Sequence, residues 1–454
     1  MARRAAGAAL VAGLVATGVT VGAGSAAAED GTAPTRGGAT ATIGGLKTYG
    51  GAVVHTEGGD LDVSAGLFEM SVEGGGTLQT YCVDLHNPTQ KDARYHETPW
   101  SGTSLGANKD AGRIRWILRH SYPQVNDLAA LARKAGIRGG LTEQDAAAGT
   151  QVAIWRYSDG ADVDAVDAEA EKLADYLEKN ARDLTEPKAS LTLAPPAVSG
   201  RPGELLGPVT VDTDADTVTV SPPADAVTSG VRIVDAKGEP VTSAADGDRL
   251  FFAVPKDTAD GSADLTLTAT TTVPVGRAFA SESRSQTQIL AGSSESTVSV
   301  TARATWASAG AIPAVSARKN CAEGGLDITA SNVGDEDFTF ELMGIEHSIA
   351  AGETRTVTVP LREDQPYDFT ITGPGGFEQR FTGVLDCKTQ GTDTGITTQT
   401  LNEPSPTVST PTDDDLNLAA TGSSNATPLI AGAAIGFVVI GGAALVVVRR
   451  RNAQ

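Results

Sequence analysis

The chain has 454 residues, 56 acidic against 35 basic, and a formal net charge of −21, a length that allows two to four domains, each with its own core. So acidic a chain lacks the basic footprint that nucleic acid and anionic lipid both require, and they are excluded as principal partners.

Arg3 and Arg4 precede an apolar stretch from Ala5 to about Val21 and the small-residue run GSAAAED, the pattern of a secretory signal cleaved after Ala28. The arginine pair lacks the rest of a twin-arginine signature, which favours the general export route. Removing this segment and everything after Thr421 takes away five arginines and no acid, moving the charge from −21 to −26.

After a Gly/Thr/Ala-rich leader, residues 42–188 read as a mixed strand and helix domain. Within TLQTYCVDLHN, a strand places Tyr81, Val83 and Leu85 on one apolar face and Leu78, Thr80, Cys82 and Asp84 on the other. Thr142 with Asp145 is a variant capping box, and Ser158 to Gly160 is a stop signal, so a helix is predicted over about 143–157. On that helix the neighbours of Gln151 are Ala147, Ala148, Ile154 and Trp155. A glutamine on an apolar stripe costs about 1–3 kcal/mol unless its hydrogen bonds are met. Asp162, Asp164, Asp167 and Glu169 read as the acidic first turn of a following helix.

An all-β pattern over 189–308 and a shorter one over 317–390 read as two Ig-like sandwiches. VTVDTDADTVTV is predicted as a hairpin across an acidic turn; its Asp212, Asp214 and Asp216 open like a calcium loop, but Thr217 and Pro223 stand where glycine and glutamate are needed. Cys321 and Cys387, near the ends of the shorter region, are expected to pair in an oxidising compartment. His347 stands alone there and His120 ends a helical run, so neither is read as a ligand.

Residues 391–417 form a Ser/Thr/Pro/Asp-rich stalk without hydrophobic period. Residues 428–448 are apolar, uncharged and followed by three arginines, as in a membrane-spanning segment with a cytoplasmic end. Leu418, Ala419, Ala420, Thr421 and Gly422 just before it resemble a sortase sorting signal in its LAXTG variant. That resemblance implies cleavage after Thr421 and covalent attachment to peptidoglycan, with sortase as the processing partner.

Pairing Cys321 with Cys387 leaves Cys82 over, and an odd cysteine in an exported chain signals an intermolecular bond or a reactive thiol. TYCVD followed by Thr150, Gln151, Val152 and Ala153 resembles the thioester (TQXA) domain of Gram-positive surface adhesins. The Ala/Gly-rich, arginine-over-lysine composition points to an actinobacterial member. The resemblance implies an internal thioester between Cys82 Sγ and Gln151 Cδ, formed with loss of ammonia and opened by an amine such as a lysine on another cell or matrix. Such a protein is a single-use covalent binder, not a turnover enzyme, and needs neither cofactor nor metal. Trp155 and Tyr81 can shield the bond from water. Two other readings stay open: a passive wall spacer with an inert Cys82, and a cysteine hydrolase or acyltransferase using His86 or His96 as base. The expected whole is a wall-anchored rod with an α+β thioester head and two Ig-like spacers.

Overall fold

The computed structural model describes residues 37–388. The cleavage site at Ala28, the stalk, the motif from Leu418 to Gly422 and the 428–448 segment lie outside the described residues. Among the described residues no helix is long and apolar enough to cross a membrane.

The head begins with β1 (Thr40–Thr56), β2 (Gly59–Val72), β3 (Thr77–Cys82) and β4 (Arg94–Thr98). Three helices follow: α1 (Ala111–His120), α2 (Leu128–Lys134) and α3 (Glu143–Ser158). A short β5 (Val163–Ala165) and α4 (Ala168–Asn180) complete its contiguous part. Register shifts in β1 between Ile43 and Gly45, and between Leu46 and Thr48, bend the strand. It thus pairs β2 along its length, β4 at Thr40–Thr42 and β5 at Ala52–Val54.

Helix α3 is capped as its sequence requires. Thr142 Oγ1 accepts the Asp145 N–H at 3.1 Å, and Asp145 Oδ2 accepts the Thr142 N–H at 2.9 Å. Every residue from Ala146 to Trp155 is buried, which makes α3 a central helix rather than an amphipathic surface one. Gly149 explains how α4 comes so close, because a Cβ there would sit 2.4 Å from the Ala170 carbonyl oxygen. The acidic run divides its work. Asp167 Oδ1 caps α4 through the N–H groups of Glu169 and Ala170, while Asp164 lies on β5 and binds Arg156 and His55.

The middle region comprises β6 (Leu191–Ala194), β7 (Ala197–Gly200), β8 (Leu205–Thr213), β9 (Val218–Ser221), β10 (Arg232–Val234), β11 (Ser243–Ala244), β12 (Arg249–Ala253), β13 (Gly261–Thr272), β14 (Ala278–Ser281), β15 (Gln288–Ser293) and β16 (Glu295–Trp306). One sheet runs β10-β12-β8-β6 and the other β11-β9-β13-β16-β7. The sequence predicts VTVDTDADTVTV as a hairpin; instead β8 and β9 belong to different sheets, and the acidic turn crosses between them. Period-two alternation identifies a strand with one buried face, but both edges of β8 are already taken by β6 and β12.

Strands β14 and β15 do not belong to that sandwich, although the sequence reading assigns them to the 189–308 domain. β13 and β16 pair over twelve residues, from Gly261 opposite Trp306 to Thr272 opposite Glu295. Beyond that ladder the chain continues as the β14–β15 hairpin into the head, where β14 pairs β4 and β15 pairs β3. The ring β1-β2-β3-β15-β14-β4 closes on itself only with this hairpin. Head and middle region accordingly share one hydrophobic core.

At the hairpin's base, Arg277 is 4% exposed at its side chain and donates to Glu97 at 2.7 Å and to Glu186 at 2.7 Å. Glu97 also accepts from the N–H groups of Ala39 and Ser190. The cluster thereby ties β4, the connection to the middle region and the hairpin.

The last region holds β17 (Pro313–Asn320), β18 (Gly325–Asn332), β19 (Phe338–Leu342), β20 (Ile345–Ile349), β21 (Thr354–Pro360), β22 (Pro366–Thr372) and β23 (Glu378–Val384) around its own core. A disulfide joins Cys321 to Cys387. This region is not strung out in line as a distal spacer. The Cys321 N–H donates to Ser101 O at 3.2 Å, and Thr287 on the hairpin donates to Asp386 Oδ2 at 3.2 Å.

Arg277→Met removes the cation and leaves Glu97 buried beside only neutral donors. It should cost about 3–5 kcal/mol, read as a lower urea midpoint, and adding Glu97→Leu should recover most of that loss.

Candidate functional site

Pairing of β2 with β3 ends at Phe68 opposite Thr80, so the strand end at Cys82 needs another partner. Gln151 supplies it from α3. Its Oε1 accepts the Cys82 N–H at 2.9 Å, and its Nε2 donates to the Cys82 carbonyl at 2.9 Å. A side-chain amide thus stands in for a neighbouring strand's peptide. Both residues are fully buried, and the hydrogen-bonding demand of a polar group on an apolar helix is met.

The third member comes from the inserted hairpin. Gln288 is the register partner of Cys82 across β15, its Oε1 accepts from Thr80 Oγ1 at 2.9 Å, and its Nε2 lies 3.4 Å from Cys82 Sγ as a donor. That contact points the positive end of an N–H dipole at the sulfur. Sequence reading missed Gln288. SQTQIL offers a signal in two glutamines on one strand face, but its partner strand lies about two hundred residues away.

The other motif residues are buried around this centre. Thr150 Oγ1 bonds back to Ala146 O at 2.6 Å, and Val152 and Ala153 pack in the core. Tyr81 donates to Tyr122 O at 2.9 Å, and burial pushes its phenol well above the usual range. Trp155 is 2% exposed and lines a small cavity of about 10 Å³ with Val63, Asp84, Leu85 and Gln286.

His96 is engaged on both ring nitrogens, Nδ1 with Thr40 Oγ1 at 2.9 Å and Nε2 with Glu282. His86 is half-buried, and burial lowers its pKa. His120 ends α1, stacked on Trp116, and His347 stacks on Phe340. A surface pocket of about 480 Å³ at the end of α3 holds Arg156, ion-paired with four of the carboxylates that line it, and includes none of Cys82, Gln151 and Gln288. Among the described residues, Glu363, Asp364 and Asp386 bring three carboxylate oxygens within 4.8 Å of one another. Glu363 is already committed to the N–H groups of Cys387 and Lys388, so the group serves as a turn anchor.

Two buried carboxyls, Asp84 and Asp386, and the half-buried Asp159 lie near the site. Asp84 is held well above the usual carboxylate range, first by burial and then by the charges of Asp159 and Asp386. Burial pushes Asp159 up to about 7 against the bonds it accepts from Ser158 and the Leu85 N–H. Asp386 is likewise pushed up to about 7 by burial, with Lys319 opposing and Glu363 and Asp364 adding to the rise.

Residues 79–183 match the family model described as Thioester domain. The matched stretch spans Cys82 and Gln151, and the sheet it contributes to needs the hairpin at 278–293, outside that stretch, to close. Residues 312–384 match the model described as Bacterial phospholipase C, C-terminal domain. Solved structures similar to the chain include the Bacillus anthracis TIE protein, at 15% identity over 77% of this chain and 64% of that one with a TM-score of 0.28. The chain thus spans less than two thirds of that protein's length. The thioester domain of the Enterococcus faecium TIE86 protein is similar at 17% identity over 62% and 99%, with a TM-score of 0.27. The E. coli chaperone DraB follows at 16% over 43% and 98%, with a TM-score of 0.17. No curated protein matches the chain.

A carboxyl whose folded pKa lies above its unfolded value binds its proton more tightly in the native state. Its stabilisation is complete below the unfolded pKa, about 4, and is lost as pH rises towards the folded value. For Asp159 and Asp386 that window runs from about 4 to 7. The protein should therefore melt at a higher temperature at pH 5 than at pH 7.5, and Asp386→Asn should flatten the difference.

Proposed function

We propose that Cys82 and Gln151 form an internal thioester and that the protein uses it once, on the cell surface, to attach covalently to an amine-bearing target. The observation that carries this reading is the two-point hold of the Gln151 amide by the main chain of Cys82. It turns an otherwise mobile side chain into a fixed electrophile beside the only thiol outside the disulfide.

The same geometry assists both steps. When Sγ adds to Cδ, negative charge gathers on Oε1, where the Cys82 N–H already donates; this is oxyanion stabilisation by a prepositioned dipole. After ammonia leaves, that N–H still polarises the thioester carbonyl towards a second nucleophile. Gln288 stabilises the sulfur as it becomes the leaving group. Full burial of Cys82, Gln151 and Gln288 keeps water, the competing nucleophile, away. An incoming lysine takes the acyl group, the thiol is released and no cycle follows, so the protein is a binder and not a turnover enzyme.

In the same reading the chain is exported, cut by sortase after Thr421 and joined to peptidoglycan, with the target amine on a neighbouring cell or matrix. The match of residues 79–183 to the thioester family model supports the head's role; the anchoring rests on the sequence motif.

Intact mass tests the reading. The ectodomain, residues 29–421, should be lighter by one ammonia beyond the hydrogens lost to the disulfide, and should gain one methylamine per chain. Cys82→Ala and Gln151→Ala should each abolish both changes. A full-mass wild type whose Cys82 titrates with a thiol reagent would mean a passive spacer instead.

A further inference from the structure

The small cavity beside the site has a composition of its own. Asp84 stands two residues past the end of β3 at Cys82, Gln286 two residues before the start of β15 at Gln288, and Trp155 one helical turn from Gln151. All three arrive at the same place, since Asp84, Gln286 and Trp155 line the cavity together. At about 10 Å³ it has room for one water-sized molecule. The Trp155 indole N–H is buried and has no acceptor among the described residues, a cost that a bound acceptor would remove.

We propose that this cavity receives the ammonia expelled from Gln151, with the Asp84 carboxyl giving the departing nitrogen its proton and the Trp155 indole N–H binding its lone pair. The inference rests on the thioester reading and adds to it a leaving-group site and a proton donor. The step balances within the chain. Cys82 Sγ bonds to Gln151 Cδ, the Cδ–Nε2 bond breaks, and the NH2 group takes one proton from Asp84 and leaves as NH3. The thiol proton then returns to Asp84, which ends as it began. Ammonia suits the lining because it accepts one hydrogen bond and donates three, while Asp84 and Gln286 both carry acceptor oxygens. The proton is available because burial and the neighbouring Asp159 and Asp386 hold the Asp84 carboxyl above the ordinary range.

The test follows ammonia loss by intact mass after refolding the unloaded full ectodomain. Asp84→Asn should slow loading about 100-fold, the scale of a lost general acid, and Trp155→Phe about fivefold, the scale of one hydrogen bond. In both, the final loaded fraction should be reached in time. A purely structural role would lower the melting temperature and the final fraction while leaving the time constant of the folded molecules unchanged, and that result overturns the proposal. Because either variant can fail to fold, a crystal structure of the wild type in ammonium chloride provides an independent arm. One ordered atom bonded to both Trp155 Nε1 and the Asp84 carboxyl is expected, and a dry cavity refutes the site. An occupied cavity with both variants loading at the wild-type rate would mark a structural water and overturns the ammonia role alone. A wild type that never loses ammonia overturns the thioester reading and this inference with it.

Discussion

A β-strand that ends inside a protein must satisfy its last peptide groups, and a glutamine on a fully buried helix must satisfy its amide. Each alone costs on the order of 1–3 kcal/mol, and here they meet each other. The N–H and C=O of Cys82 and the Oε1 and Nε2 of Gln151 form a closed pair of 2.9 Å hydrogen bonds. This fixes α3 against β3, since a slip of α3 by one residue along its axis would break both bonds together. The capping box at Thr142, the close approach at Gly149 and the Arg156 cluster at the other end of α3 all hold the helix in that register.

The pair is covered by chain that arrives late. β15 lies beside β3 and closes the ring, Gln288 reaches the sulfur, and Asp386 is bonded to Thr287 between the two glutamines. The head is therefore not complete at residue 188, nor even after the middle sandwich. The buried Arg277–Glu97 pair anchors the inserted hairpin at its base. A buried ion pair adds little net stability but leaves few alternative arrangements open, which suits a joint that must put one side chain beside one sulfur atom.

What the sequence made legible follows from the range of the physics involved. The capping box, the stop after Ser158 and the environment of Gln151 are local, so α3 (Glu143–Ser158) lies within a residue of the range read from the sequence. The strand was legible for the same reason only as far as Cys82; Val83 to Leu85, read as its continuation, lie beyond the end of β3. Pairing partners were not legible, because alternation says that a face is buried and never by what. That is why β8 and β9 read as a hairpin and belong to two sheets, and why SQTQIL read as part of a sandwich and completes the head. Asp84 escaped notice as a polar residue on a strand face; only the placement of Trp155 and Gln286 around it makes it distinctive.

On the thioester reading, this long-range assembly has a chemical consequence. An acyl group activated by sulfur is useful only where water is kept out, and β3 and α3 alone leave the Cys82 edge of the sheet open. The edge is closed by β15, some two hundred residues downstream of Cys82, and the neighbouring carboxyl Asp386 is held in a region clamped by the Cys321–Cys387 disulfide. During synthesis the thiol and the amide can find each other early, but the donor from Gln288 and the full exclusion of water arrive only when the hairpin is seated. Activation is thereby tied to completion of the fold, so a partly folded chain carries an unshielded thiol and an ordinary glutamine rather than a reactive ester.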